Sequence, residues 1–215
     1  MNFKESVDWR FPIPILYGPG RIVDLSNILK EHNLRSPLIV TDKNSSNLPF
    51  IKTIINNLKI SGLKYSLFDG ISPNPIDYEI IEGKHTYENG NHDSIIAVGG
   101  GSGMDGGKAI SLLVNNTFIL WDFDNDKTAI KHLKNFPPII CIPTTAGTGA
   151  ETESTAMVTN SKLEMKLCVW HPNHKPIAAI LDPELTLGLP KNLTSWTGVD
   201  ALVHAIEAYS VDSLY

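Results

Sequence analysis

The 215-residue sequence contains only two cysteines and no cluster of basic residues. Cys141 and Cys168 each lie in an apolar run and could pair only if the fold brought them together, so we expect two reduced thiols in a reducing compartment. The net charge of -5 lacks the concentrated excess of Lys and Arg on which nucleic-acid binders rely. These scarcities argue against a disulfide-stabilised domain and against nucleic acid as a partner.

Long apolar runs are also missing. No stretch approaches the roughly 18 apolar residues of a membrane-spanning helix, and the charged start MNFKESVDWR is not followed by the apolar core of a signal peptide. We therefore expect a cytoplasmic protein with no membrane partner. With 42% hydrophobic and 19% charged residues, the composition is that of a folded globular chain, large enough for one domain plus part of a second.

The sequence does contain a regular alternation of short apolar runs and amphipathic segments. SPLIVTD, LKYSLFDG, SIIAVGGG, PPIICIP and AAILDP suit buried strands, and helical patterns separate several of them. This order predicts the α/β class, with a doubly wound parallel sheet. Residues 155–170 indicate a β-hairpin that turns near Asn160 and Ser161, and residues 121–135 indicate an irregular, charged excursion.

The character of the chain changes after Pro190, where KNLTSWTGVDALVHAIEAYS gives a long helical pattern with no strand after it. We predict a dinucleotide-binding α/β domain over residues 1–187 and the start of an all-helical domain over residues 188–215. The last helix should then expose an apolar face.

A glycine-rich loop, GGGSGMDGGKAI, lies between a buried strand and a helix. Gly100 and Gly101 permit close approach to a ligand, the free N–H groups of the helix start attract an anion, and Ser102 can donate to a phosphate. Asp105 can bind a ribose or amide group, or simply cap the helix. The pattern G-x-G-x-x-G is present, although earlier strand-helix units precede it, so a tight structural turn is an equal alternative.

A second polar loop, PTTAGTGAE, follows another buried strand. Thr144, Thr145 and Thr148 could converge on the same pyrophosphate. Asp42 ends the strand SPLIVTD, where a carboxylate can accept hydrogen bonds from both hydroxyls of an adenine ribose and repel a 2′-phosphate. This favours NAD over NADP, although a surface-turn aspartate is an equally good interpretation.

Asp200 and His204 are four residues apart, which puts them on one face of a helix. The pair can share a divalent cation such as Fe²⁺ or Zn²⁺, and a local Asp–His contact on a solvated face is the alternative. His171 and His174, in HPNHKP, have the spacing of a metal pair. Their flanking prolines Pro172 and Pro176 favour a surface loop instead.

Together, GGGSGMDGGKAI, PTTAGTGAE and DPELTLGLPKNLTSWTGVDALVHAIEAY resemble the signature segments of the iron-containing (group III) alcohol dehydrogenases. The resemblance implies a dinucleotide-binding α/β domain, an all-helical C-terminal domain, a metal between them, and NAD(P)-dependent interconversion of small alcohols and aldehydes or ketones. It implies that Asp200 and His204 are metal ligands. It also implies that the cofactor-binding residues are Asp42, Asn74, Gly100, Gly101, Ser102, Asp105, Thr144, Thr145, Thr148, Lys166 and Leu185.

The sequence departs from that family in two local features and in length. Gly103 stands where a bulkier residue or proline is common, and Glu153 adds a charge near the expected nicotinamide end. Family members are longer, and the resemblance places two further histidine ligands on later helices that this sequence lacks. We therefore expect a shortened chain of weak or absent turnover. A non-catalytic nucleotide-binding module and a glycerol dehydrogenase-like relative are the alternatives, and the edge strand of such sheets suggests a homodimer.

Overall fold

The computed structural model describes residues 13–211. The charged N-terminal start, with its predicted lack of a signal peptide, and the outer ends of both predicted domains lie outside these residues. The strands are β1 (Ile15–Tyr17), β2 (Pro37–Asp42), β3 (Ser66–Ile71), β4 (Ser94–Gly99), β5 (Ile139–Pro143), β6 (Thr155–Asn160), β7 (Met165–Trp170) and β8 (Ala178–Leu181). The α-helices are α1 (Leu25–Glu31), α2 (Pro49–Ile60), α3 (Asp77–Asn89), α4 (Gly101–Leu113) and α5 (Lys191–Ser210).

Six strands form one parallel sheet in the order β1-β8-β5-β4-β2-β3. Strands β4 and β5 are buried along their whole length, which explains why their sequences are continuously apolar. Alternate residues face opposite sides: Leu38 and Ala97 enter the core beneath α3 and α4, whereas Ile39 and Val98 enter the core beneath α1 and α2. The predicted α/β class with a doubly wound parallel sheet is confirmed.

The strand order contains a reversal that matters for function. The chain passes from β2 outward to β3 and then returns to the other side of β2 to form β4. Connections on either side of this point run over opposite faces of the sheet, so a crevice opens between the carboxyl ends of β2 and β4. Parallel α/β sheets bind their ligands at such a switch point.

Strands β6 and β7 form the predicted hairpin as a separate antiparallel pair. The buried side chains Ala156, Val158 and Val169 belong to the same apolar core as Met104 of α4, so the hairpin covers that helix. The N–H of Thr159 also donates to the carbonyl of Pro75, 2.7 Å away, which ties the hairpin to the loop after β3.

The interpretation of His171 and His174 as parts of a surface loop is wrong, because their exposed fractions are only 5% and 2%. Phe136 packs edge-on against both rings, with centroid distances of 5.2 and 5.0 Å. The Asn173 N–H donates to Nδ1 of His171. Nε2 of His171 therefore carries the proton and donates to the carbonyl of Ile130. The prolines do produce a turn, but the irregular excursion that precedes β5 folds over it.

Helix α5 follows the sheet and has no fully buried residue. Its exposed large apolar side chains follow one another at intervals of three residues or one, so they spread over much of the helix circumference and do not form the single apolar face that the sequence predicted: Leu193, Trp196, Val199, Leu202, Val203, Ile206 and Tyr209. No helix within the described residues has the length and apolarity needed to cross a membrane. Both cysteines are free thiols, and Cys141 is buried.

Candidate cofactor and metal site

The glycine-rich loop joins β4 to α4 at the crevice. Gly99 has a φ of 137°, a conformation that side chains rarely tolerate, and lets the backbone leave the sheet sharply. A Cβ on Gly103 would lie 2.6 Å from the carbonyl oxygen of Val98, so the first turn of α4 sits directly on the end of β4. The departure at Gly103 therefore has a steric reason in this chain. The N–H groups of this turn face the crevice end of the sheet, where they favour an anion.

The second loop packs against the first. The Thr144 N–H donates to the carbonyl of Gly99 at 2.9 Å, and a Cβ on Gly100 would lie 3.3 Å from Cγ2 of Thr145. The side chain of Thr148 similarly approaches Gly101. Within residues 13–211, the buried hydroxyl of Thr145 has no hydrogen-bond partner. A buried hydroxyl without a partner is costly, and a ligand oxygen placed between the loops would supply one.

Asp42 ends β2 on the other side of the crevice. Its Oδ1 accepts from the N–H groups of Asn44 and Ser45 at 3.0 Å each, and its Oδ2 accepts from the Ser45 hydroxyl at 2.6 Å. Oδ2 also lies 3.4 Å from where a Cβ on Gly99 would be. Asp42 is thus a turn-forming aspartate and, at the same time, a carboxylate fixed beside the glycine loop. The two interpretations of its sequence position are compatible.

Asn74 and Lys166 are 92 positions apart in sequence, yet Nζ of Lys166 donates to Oδ1 of Asn74 at 3.2 Å. The Ser102 hydroxyl donates to the carbonyl of Pro73 at 2.6 Å, so the loop after β3 also contacts the start of α4. Lys166 and Asn74 are both exposed. Asn74, Ser102 and Lys166, all three predicted from the sequence, therefore lie at one rim of the crevice.

Glu79 was not identified from the sequence, although it organises this rim. Its buried carboxylate accepts from the Ser72 N–H at 3.2 Å, the Ser72 hydroxyl at 3.1 Å and the Ile76 N–H at 2.9 Å. These bonds hold the loop that carries Asn74. The sequence could have indicated this role, because Glu79 is the third residue of α3, where a glutamate side chain can accept from the backbone N–H of the N-cap residue.

Lys108 was also missed. It is fully buried, and its Nζ donates to the carbonyls of Ala150, at 2.8 Å, and Thr155. Nζ is 3.4 Å from Oδ1 of Asp105. Burial raises the pKa of Asp105, and Lys108 is the largest influence that opposes the rise. A lysine three residues after an aspartate was the signal, but nothing in the sequence shows that the hairpin covers both.

Leu185 lies in a short helical turn, Pro183–Thr186, after β8. It is partly buried and packs on the core beneath α1 and α2. The preceding Asp182 is buried and accepts from the N–H groups of Gly20, Ile22 and Glu184, which fixes the end of β8 to the N-terminal side of the fold. Among the described contacts, Leu185 has a packing role, and its predicted contact with a cofactor stays a prediction.

Asp200 and His204 lie one turn apart on α5, with Oδ2 and Nε2 3.6 Å from each other. Both side chains are about half exposed. This separation lets one divalent cation contact both atoms at ordinary ligand distances, so the pair fits two positions of a metal site. The part of the chain from residue 13 to 211 holds no group of three potential ligands, and a catalytic site normally needs three or more.

Helix α5 meets the second loop at Gly147. This glycine has a φ of 147°, and a Cβ there would lie 2.1 Å from the carbonyl oxygen of Thr197 and 3.5 Å from Cβ of Ala201. Only glycine allows the loop to approach the helix backbone so closely. Asp200 lies three residues after Thr197, less than one helical turn, so the contact ties the helix that carries Asp200 and His204 to the loop that contacts the glycine-rich turn.

A parallel sheet with a glycine loop at its switch point, a strand-end carboxylate and a second donor-rich loop defines a Rossmann-like domain. The model of the family described as iron-containing alcohol dehydrogenase matches residues 12–183. The chain belongs to this family.

Known proteins support this assignment along nearly the whole chain. The NAD-dependent methanol dehydrogenase of Bacillus methanolicus is 35% identical over 198 residues, which is 92% of this chain and 51% of that protein. A solved 1,3-propanediol oxidoreductase matches with a TM-score of 0.87 and 31% identity, over 95% of this chain and 53% of the other. Sulfoacetaldehyde reductase from Bifidobacterium kashiwanohense, solved with NAD⁺, matches with a TM-score of 0.86 and 31% identity, over 95% and 54%. The chain thus spans about half the length of the relatives it matches.

Proposed function

We propose that the chain carries the NAD-binding domain and part of the metal site of an oxidoreductase that interconverts small alcohols and aldehydes or ketones. The observation that carries the proposal is the packing of the two donor-rich loops at the switch point, where the buried Thr145 hydroxyl has no partner within the described residues. Membership in the iron-containing alcohol dehydrogenase family supports the reaction class.

In this proposal the pyrophosphate lies between the two loops. Backbone N–H groups at the start of α4 donate to it, and Gly100, Gly101 and Ser102 let it approach the helix end. Thr144, Thr145 and Thr148 supply the second wall, with Thr145 completing its hydrogen bonding through the ligand. The hydrogen bond from the Thr144 N–H to the Gly99 carbonyl holds the two loops together.

Asp42 accepts from the adenine ribose hydroxyls in the same proposal. Its carboxylate is held by Asn44 and Ser45 and so cannot turn away from a bound nucleotide. A 2′-phosphate there would face a fixed negative charge, which favours NAD over NADP.

Asn74, Asp105 and Lys166 form the other end of the cleft, where we place the nicotinamide ribose. The Lys166–Asn74 hydrogen bond holds the lysine beside the loop after β3. Nicotinamide supplies the hydride donor or acceptor when it is bound. Asp200 and His204 would hold a divalent cation, Fe²⁺ or Zn²⁺, which supplies Lewis-acid polarisation of a carbonyl oxygen. We also propose that the sheet domain ends near residue 187 and that α5 opens the helical domain.

Two measurements test the proposal. Calorimetry should detect NAD binding to the 215-residue chain, and loss of binding in a Thr145→Val variant would support the assigned pyrophosphate position. Absence of NAD binding to the folded wild type would refute it. A steady-state assay with NADH, Fe²⁺ or Zn²⁺ and small aldehydes should give weak or no turnover, because two ligands do not complete a catalytic metal site.

A non-catalytic nucleotide-binding module is the second candidate function. The absence of a three-ligand group within residues 13–211 favours it for this chain taken alone. NAD binding without metal binding would select this alternative, whereas rates comparable to those of the relatives would exclude it. A homodimer through the edge strand β1 also stays a prediction, which light scattering would test.

A further inference from the structure

Lys108 is the one fully buried charged side chain of α4, and the cofactor-binding roles proposed above do not include it. Its ammonium is bonded to three parts of the chain. It donates to the carbonyl of Ala150, which ends the second loop, and to that of Thr155, which begins the hairpin. It also pairs with Asp105 across 3.4 Å, one turn earlier on the same helix. A charge is rarely buried so completely unless all its donors are used.

These contacts join the two walls of the cleft. Ala150 lies two residues after Thr148, which approaches Gly101, and Asp105 lies three residues after Ser102. Without the ammonium, the buried carbonyl of Ala150 and the partly buried carbonyl of Thr155 would lose this donor. Among the described contacts, the segment between them would also lose the only charged group that holds it to α4. The segment from Ala150 to Thr155 would then be free to move away from α4.

We propose that Lys108 is a positioning residue of the cofactor site, whose ammonium fixes Asp105 and the second loop against the glycine-rich turn. The inference rests on the proposed NAD-binding function, which it deepens. Lys108 itself touches no ligand in this scheme, because it is closed off beneath the hairpin. Its effect on binding passes through Asp105 and through the loop that ends at Ala150.

The charges around Asp105 give this role a measurable signature. Burial raises the pKa of its carboxyl, and the influences that lower it are Lys108 on α4, the Met157 N–H on β6 and Lys166 on β7. The thiols of Cys141 on β5 and Cys168 on β7 lie in the same cluster, and burial raises the pKa of both. Removing Lys108 removes the largest opposing influence, so the Asp105 pKa should rise further.

The test compares wild type, Lys108→Met, Asp105→Asn and the double variant. Carbon NMR of the ligand-free protein follows the Asp105 carboxyl, whose titration midpoint should move to higher pH in Lys108→Met. NAD affinity should fall by about tenfold, the effect of leaving a buried polar group without its partner, while the affinity for AMP should fall less. In the Asp105→Asn background the effect of Lys108→Met should shrink, because the two residues act together.

Lys84→Met is the matched control. Lys84 also donates to a backbone carbonyl, that of Asn116 at 3.3 Å, but this contact lies beyond the far end of α4. The control should leave both the Asp105 titration and NAD binding unchanged. If Lys108→Met does not fold, Lys108→Gln, whose side-chain amide keeps N–H donors but carries no charge, replaces it.

The experiment distinguishes failure of the Lys108 role from failure of the proposed NAD-binding function. An unchanged Asp105 midpoint, or additive effects of the two substitutions, would overturn the role of Lys108. Failure of wild type to bind NAD would refute the proposed function instead, and the Asp105 titration in Lys108→Met would still decide whether the lysine holds that carboxylate.

Discussion

Asp42 offers the sharpest test of cofactor choice, because its charge can be removed without changing its shape. In Asp42→Asn the amide oxygen can still accept from the N–H groups of Asn44 and Ser45, so the turn after β2 should persist. The carboxylate charge beside Gly99 disappears. We expect the ratio of NADP affinity to NAD affinity to rise.

The size of the change follows from the surroundings of the carboxylate. Two unit charges about 4 Å apart repel by about 1 kcal/mol in water and about 4 kcal/mol at an effective dielectric of 20. Asp42 is half-buried at the rim of the crevice, so its value should fall between these limits. The affinity ratio should therefore change by about fivefold to several hundredfold. NAD itself should bind about tenfold more weakly, because charge-assisted hydrogen bonds to the ribose are lost.

Calorimetry with NAD and NADP on wild type and Asp42→Asn measures both effects. Repeating it at high salt should reduce the discrimination, since the site is open to solvent. Ser45→Ala is the control for the turn: it removes the hydroxyl that donates to Oδ2 and leaves the charge in place. If wild type binds NADP as tightly as NAD, or if Asp42→Asn leaves the ratio unchanged, Asp42 does not select the cofactor.

Three further predictions concern stability and reactivity. Gly103→Ala should lower the free energy of unfolding by about 1–3 kcal/mol in urea, because the new Cβ meets the Val98 carbonyl. The control Gly198→Ala, on the open side of α5, should not lower it. Equal effects of the two substitutions would contradict the close approach of α4 to the end of β4. Burial lowers the pKa of His174 to about 3 from 6.5, so the unfolded chain binds the extra proton and stability should fall as pH drops between those values. His174→Phe should lose about 1.4 kcal/mol per pH unit of this slope, and the exposed-site control His132→Gln should keep it. Burial raises the pKa of Cys141 to about 12, so a thiol reagent should modify it only after denaturation, and fast native labelling of both cysteines would argue against the buried β5 strand.

Much of the sheet was predictable because its signals are local. The runs that became β2, β4 and β5 are apolar without alternation, as strands buried on both faces must be. Glycine, proline and polar residues separate them. The same reasoning located the glycine loop, the second loop and Asp42, since each follows directly after such a strand.

The errors and omissions share a different cause. His171 and His174 were assigned to the surface from their neighbouring prolines, yet an excursion more than 30 residues earlier in the chain buries them against Phe136. Lys108 was not singled out from the sequence, because the segments that bury it lie 42 and 47 residues later in the chain. The hydrogen bond between Asn74 and Lys166 likewise depends on the packing of the hairpin against the loop after β3. The residues on either side of a position do not show which distant segment of the chain will cover it.

The contact between Gly147 and Thr197 has a mechanical consequence. It acts as a pivot near the first third of a helix that is about 30 Å long. If α5 tilted there by about ten degrees, Tyr209 would swing by roughly 3 Å, whereas Asp200, about 4.5 Å along the axis, would shift by less than about 1 Å. His204, about 10.5 Å along the axis, would shift by about 2 Å, so such a tilt would leave Asp200 close to its place beside the second loop while it moved His204 and the C-terminal end of α5 progressively further.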